Sequence, residues 1–121
     1  MEKKATLVVG ASPVTSRYAY LATVRLQAHG HPVHLLGKQE GSIGGVSIAR
    51  QVPEDIAVDT ITLYVSPPHQ EELIVPLLKL LPKRIIFNPG TENRAFEEAA
   101  RARGVEVVEG CTLVMLAAGQ Y

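Results

Sequence analysis

The chain predicts an α/β fold, a doubly wound parallel sheet with helices on both faces. Short β-branched apolar runs recur along the 121 residues, and segments of helical period separate them. The first run also passes through a glycine-bounded loop of small residues straight into a helix, "LVVGASPVTSRYAYLA" at 7–22.

"TLVVG" at 6–10 reads as a strand covered on both faces. In "SRYAYLATVRLQAH", 16–29, Tyr20, Val24 and Ala28 recur at intervals of four, which predicts an amphipathic helix ending at Gly30. Ser16 is its expected N-cap. "PVHLLG", 32–37, supplies a parallel second strand and completes a β-α-β unit in about thirty residues. Three glycines and a proline make 38–57 mostly loop, with a short strand near 46–48. "DTITLYVS", 59–66, is the clearest strand. Pro67 and Pro68 then suit a first helical turn, and "HQEELIVPLLKLL" reads as a helix kinked at Pro76. A strand at 83–90, a charged helix at 92–104 and a last strand at 105–110 complete the alternation. The apolar tail "CTLVMLAAGQY" either packs on its own sheet, through Leu113 and Met115, or forms a homodimer contact.

Composition narrows function by exclusion. With 12 basic and 12 acidic side chains the net charge is zero, so no global field draws the chain to nucleic acid or to an anionic membrane. A single cysteine, Cys111, rules out an internal disulfide and any cysteine-rich zinc pattern. The N-terminal apolar run is too short for a signal peptide or a membrane span, which predicts a soluble cytoplasmic protein. The length fits one domain, 1–121, and leaves no room for a second, catalytic one. No metal site is expected: His29 and His31, flanking Gly30, read as caps at a helix end, and His69 lacks an evident carboxylate to orient it as a base.

In such sheets ligands sit beyond the carboxyl ends of the strands, so the loops after the strands spell out the site. After the first strand, Gly10, Ser12 and the following helix N-terminus suit a phosphate or pyrophosphate, although neither full phosphate-loop signature is present. The same stretch also reads as a tight strand-to-helix turn. After the second strand, Lys38 suits a phosphorylated ribose, whereas Glu40 keeps an NAD reading open. Ser66 with its proline pair forms a shelf for an adenine ring or merely starts a helix. In "NPGTEN", 88–93, Thr91 is the expected helix cap.

"VVGASP" followed by Arg17 and Tyr18, Gly37-Lys38, "VSPP", "IIFNPGTEN" and "VEVVEGCTLVML" together resemble the small stand-alone CoA-binding proteins of bacteria. Those are similar to the CoA-binding domain of the succinyl-CoA synthetase α-subunit. The resemblance spans about residues 4–117 and implies a Rossmann-like CoA-binding domain. By this likeness Gly10, Ala11, Ser12 and Pro13, with Arg17, hold the pyrophosphate of CoA or an acyl-CoA, and Tyr18 and Gly37 join the cofactor-binding set. Lys38 lies near the ribose phosphate, Val65, Ser66 and Pro67 line the adenine end, and Asn88, Pro89 and Gly90 border the pantetheine arm. The 3′-phosphate of CoA agrees with the lysine read from the sequence alone. The synthetase's phosphohistidine domain has no counterpart here, which implies a non-catalytic module acting as a sensor, a carrier or the subunit of a partner enzyme. An NAD(P)-binding regulatory or oxidoreductase domain is the alternative, and a pure interaction domain is a third reading. On the CoA reading, the position of Cys111 after the last strand also suggests a mixed disulfide with the CoA thiol under oxidation, an added oxidant taking up the two electrons.

Overall fold

The computed structural model describes residues 2–121. Its strands are β1 (Thr6–Val9), β2 (Val33–Leu36), β3 (Ser42–Ile43), β4 (Val46–Ala49), β5 (Thr60–Leu63), β6 (Arg84–Phe87) and β7 (Glu106–Glu109). They form one sheet in the order β3-β4-β2-β1-β5-β6-β7, parallel throughout except for the β3–β4 hairpin. Helices α1 (Tyr18–Ala28), α2 (Ile74–Leu78), α3 (Arg94–Ala102) and α4 (Thr112–Ala117) cover it, giving a Rossmann-like α/β architecture. Among the described residues no helix is long and apolar enough to cross a membrane.

Alternation along the strands builds two cores. Leu7, Val9, Ile61, Leu63, Ile85 and Phe87 face α2 and α3, where Phe87 meets Phe96 edge-on at 5.3 Å. Val8, Leu35 and Ile86 face the other way, onto Ala19, Leu26 and Leu116. Burial on both faces is why Leu7–Val9 of β1 and Ile85–Phe87 of β6 are apolar runs, and why the threonines of β5 are buried, whereas the edge strand β7 keeps exposed glutamates at both ends.

Several elements differ from the sequence expectation. Helix α1 buries Ala19, Ala22, Thr23 and Leu26, while Val24 and Ala28 are exposed and Tyr20 is half-buried. Small side chains let its backbone lie close on the sheet, which outweighs the larger side chains of the opposite face. Its N-cap is Arg17, not Ser16. The expected long helix after Pro68 is broken into 3₁₀ turns at Pro67–His69 and Glu71–Leu73, followed by the short α2. Gln70, fully buried between these turns, donates from Nε2 to the carbonyls of Val65 and Thr91, both at 2.8 Å. Pro76 falls in the first turn of α2, where its missing N–H would have no partner anyway, so no kink results.

The 46–48 strand is present as β4, but it is preceded by β3 and runs parallel to β2. Asn93, not Thr91, caps α3: its side chain accepts the Phe96 N–H, whereas the Thr91 hydroxyl donates to the Asn88 carbonyl. The tail folds into α4 and packs on the α1 side through Leu116 and Tyr121, with Leu113 and Met115 half-buried. His29 ends α1 as expected. His31 lies inside, and its Nδ1 accepts the Lys4 N–H at 2.9 Å, the behaviour of a neutral ring. The chain runs from β1 outward through β2 and β4, then returns to β5 on the opposite side of β1. The order therefore reverses between β1 and β5, where such sheets open a crevice.

Candidate functional site

The loop after β1 is shaped by what lies beneath it. Gly10 has φ of 95°, a conformation most side chains avoid, and a Cβ there would meet Val65 and Tyr64. The N–H groups of Gly10 and Ala11 both donate to the Leu36 carbonyl at 2.8 Å, fastening the loop to the end of β2. Gly37 answers from the other side: a Cβ at this position would overlap the Ala11 carbonyl oxygen. Both glycines are thus required by the packing of neighbouring strand ends. Ser12 tightens the turn further, its Oγ accepting the Val14 N–H at 3.1 Å and donating to Gln39 at 3.4 Å.

Arg17, extended at φ −76° and ψ 142°, begins α1 without a side-chain hydrogen bond to the helix. The first-turn N–H groups therefore have no capping acceptor, and the positive end of the helix dipole is open. This end abuts a cleft of about 620 Å³ lined by Val9 of β1 with Gly10, Ala11, Ser12 and Arg17, by Leu36 of β2 with Gly37, Lys38, Gln39 and Arg50, and by Tyr64, Val65, Ser66, His69, Glu72 and Leu73. A second lobe of about 290 Å³ shares Gly10, Ser12, Arg17, Tyr64 and Ser66 with the first and extends to Tyr18, Pro89, Gly90 and Thr91. The strand-order reversal lies beneath their common wall.

Most of the residues expected from the sequence converge here: Gly10, Ala11, Ser12, Arg17, Tyr18, Gly37, Lys38, Val65, Ser66, Pro89 and Gly90. Pro13, Pro67 and Asn88 are not among the lining residues of either lobe. Pro13 lies close to Gly41, so it packs the loop against its neighbour. Asn88 is buried and turned inward; its Nδ2 donates to Thr62 Oγ1 at 2.7 Å and to the Leu63 carbonyl at 2.9 Å, and its Oδ1 accepts the Thr112 N–H at 2.9 Å. Cys111 is half-buried and lines neither lobe. Glu40 is likewise outside both, leaving Lys38 alone of that pair at the cleft.

Tyr64, Gln39, Arg50 and Glu72 are lining residues the sequence reading does not name. Tyr64, directly before "VSPP", was within reach of a reading of the loop; Arg50 enters only because β4 joins the sheet beside β2. Burial pushes the Tyr64 phenol up to about 12 although the nearby Thr112 and Thr62 hydroxyls act the other way, so it stays protonated, and among the described residues its hydroxyl has no hydrogen-bond partner. The adjacent hydroxyls of Thr62 and Thr112 are bonded to each other at 2.8 Å. Among the described residues, ion pairs occur only within α3, so Arg17, Lys38 and Arg50 reach the cleft unpaired. No group of three His, Cys, Asp or Glu side chains among the described residues is arranged to hold a metal.

A family model describing a CoA binding domain matches residues 4–117. The chain belongs to that family. Among solved structures, an uncharacterized protein is 48% identical over the whole of both chains, with a TM-score of 0.97. A hypothetical protein from Pyrococcus horikoshii is 28% identical over 93% of this chain and 80% of its own, with a TM-score of 0.81. An acetyl-coenzyme A synthetase from Candidatus Korarchaeum cryptofilum shares the fold, with a TM-score of 0.70, at 22% identity over 88% of this chain and 25% of its own. No curated protein matches. Membership in the CoA binding domain family accords with an open helix end, unpaired cations and an elongated two-lobed cleft at the switch point.

Proposed function

We propose that this CoA-binding-family chain, as a single unit over 1–121, binds coenzyme A or an acyl-CoA across the two lobes. The observation that carries the reading is the uncapped α1 N-terminus, facing a cleft beside the unpaired Arg17. A diphosphate satisfies both at once: its oxygens accept the free N–H groups, and its charge meets the dipole and the guanidinium. Lys38 then faces the ribose phosphate, Val65 and Ser66 face the adenine, and the arm bearing the thiol runs toward Pro89 and Gly90 in the smaller lobe. The lining offers cations, hydroxyls and apolar walls, groups that hold a nucleotide. The chain is accordingly read as a binding module, with chemistry on the thiol left to a partner enzyme.

Thermal unfolding with CoA, acetyl-CoA, NAD and NADP in parallel tests this. A ligand at a hundred times its dissociation constant adds about 2.7 kcal/mol, a shift of about 10 °C for a chain of this size. CoA and acetyl-CoA should both give such a shift, and Arg17→Ala should reduce it. A response to NADP alone makes the chain a dinucleotide-binding domain; no response to any of them removes the reading.

A further inference from the structure

We propose that Arg50 completes, with Lys38, a two-cation clamp for a phosphomonoester on the ligand's ribose, and that this clamp makes the larger lobe selective for phosphorylated ribose. The proposal rests on the nucleotide reading above, which already sets Lys38 at the ribose phosphate, and adds Arg50 as the second residue that selects for it.

The sheet places the two cations together. Leu36 of β2 is paired with Ala49 of β4, and the Gly37 N–H donates to the Ala49 carbonyl at 2.9 Å. Lys38 and Arg50 thus leave the carboxyl ends of adjacent parallel strands, which run about 5 Å apart. The hairpin carrying Arg50 is held down: Gln27 of α1 donates to the Ile43 carbonyl at 3.0 Å, and the Ile48 N–H donates to the Gly41 carbonyl at 2.9 Å. The base of the Arg50 side chain is therefore fixed while its head is free. Both side chains are exposed, and both line the larger lobe.

Charge separates this pair from the diphosphate site. Arg17 belongs to both lobes, at the helix end, whereas Lys38 and Arg50 line only the larger one. The chain as a whole has no net charge, yet three cations and one acid, Glu72, line this lobe. A diphosphate bound at the α1 N-terminus is met by backbone N–H groups and Arg17 and leaves Lys38 and Arg50 unused. A phosphomonoester, with about −1.5 to −2 charge near neutral pH, is the group that two adjacent cations neutralise. A ribose hydroxyl in its place leaves both unanswered.

The same chemistry occurs in the 3′-phosphate of CoA and the 2′-phosphate of NADP. Isothermal titration of the wild type, Arg50→Ala, Lys38→Ala and the double variant with CoA, dephospho-CoA, NADP and NAD distinguishes the sources. Arg50 is exposed, so its truncation leaves the fold intact. The expected result is that Arg50→Ala weakens CoA about 10- to 100-fold and changes dephospho-CoA less than about twofold, with non-additive losses in the double variant. Equal weakening of CoA and dephospho-CoA by Arg50→Ala, or no weakening of either, overturns the clamp while leaving CoA binding in place. If NADP is the ligand bound in preference to NAD, and Arg50 carries that preference, the clamp stands and the CoA reading fails. If the wild type binds no ligand with a phosphorylated ribose, both fail.

Discussion

Asn88 lies in one of the motifs that carry the family resemblance, yet its side chain faces the interior. Three hydrogen bonds tie the ends of β5 and β6 to the start of α4 through this one amide. Its truncation takes a partner from the Leu63 carbonyl and from the buried Thr112 N–H, each loss costing about 1–3 kcal/mol if unmet, while the Thr62 hydroxyl keeps its bond to Thr112. Asn88→Ala should therefore lower the unfolding free energy by about 2–4 kcal/mol in urea titration. A loss below about 0.5 kcal/mol, the level of an ordinary surface change, is incompatible with that role. The glycines make a related point. "GASP" and "LLGK" announce a tight loop, but not that Gly37 is demanded by the Ala11 carbonyl or that Gly10 is closed in by Tyr64 and Val65. Sequence shows where a side chain is missing; the contact that forbids it comes from a loop elsewhere in the chain.

Parallel strands are the elements most legible in the sequence, because burial on both faces favours short β-branched apolar runs such as Leu7–Val9 and Ile85–Phe87. The segment 67–78 was not legible, since the residue that divides it, Gln70, draws its partners from Val65, Thr91 and Asn93, the last two from a later loop. Nor was the β3–β4 hairpin, whose pairing with β2 brings Arg50 to the cleft and depends on contacts across the sheet edge. Helix α3 was legible in position but not in its electrostatics. Burial raises the Glu97 carboxyl above its ordinary value of 4.5, and the neighbouring Glu109 of β7 raises it further. The folded state then keeps a proton that the unfolded chain releases, so this contribution to stability is full below about pH 4.5 and is lost as pH rises through the raised value. Glu109 is exposed, and its repulsion is screened accordingly. Glu109→Gln should stabilise the protein by about 0.5 kcal/mol at pH 7 and by nothing measurable near pH 4 in parallel thermal melts. A gain that is the same at both values of pH would exclude the Glu97 pairing as its cause.

The two edges of the sheet divide the molecule's charge although the total is zero. At the carboxyl edge, Arg17, Lys38 and Arg50 face an open cleft. At the amino edge the cations turn inward: Arg84 and Lys4 donate to the Tyr121 carbonyl at 2.7 and 2.8 Å, and the Tyr121 hydroxyl is hydrogen-bonded to Thr6. His31 is enclosed among these groups, its Nδ1 occupied by the Lys4 N–H and its Nε2 buried without a partner among the described residues. Burial first, then the positive charges of Lys3, His29, Lys4 and Arg84, hold its pKa below the ordinary 6.5. The unfolded chain therefore takes up a proton at His31 that the folded chain refuses. This contribution is intact above about pH 6.5 and declines as pH falls from there toward the folded value, opposite in sign to that of Glu97. Thermal melts between pH 8 and pH 5 should show the wild type losing stability below about pH 6.5, and His31→Gln, which has no proton to gain, losing less. The variant is expected to be less stable at pH 8, where the imidazole packs against Tyr121 at 4.8 Å, so the slope and not the height of the curve decides. Parallel slopes for the two proteins would mean that acid acts elsewhere in the molecule.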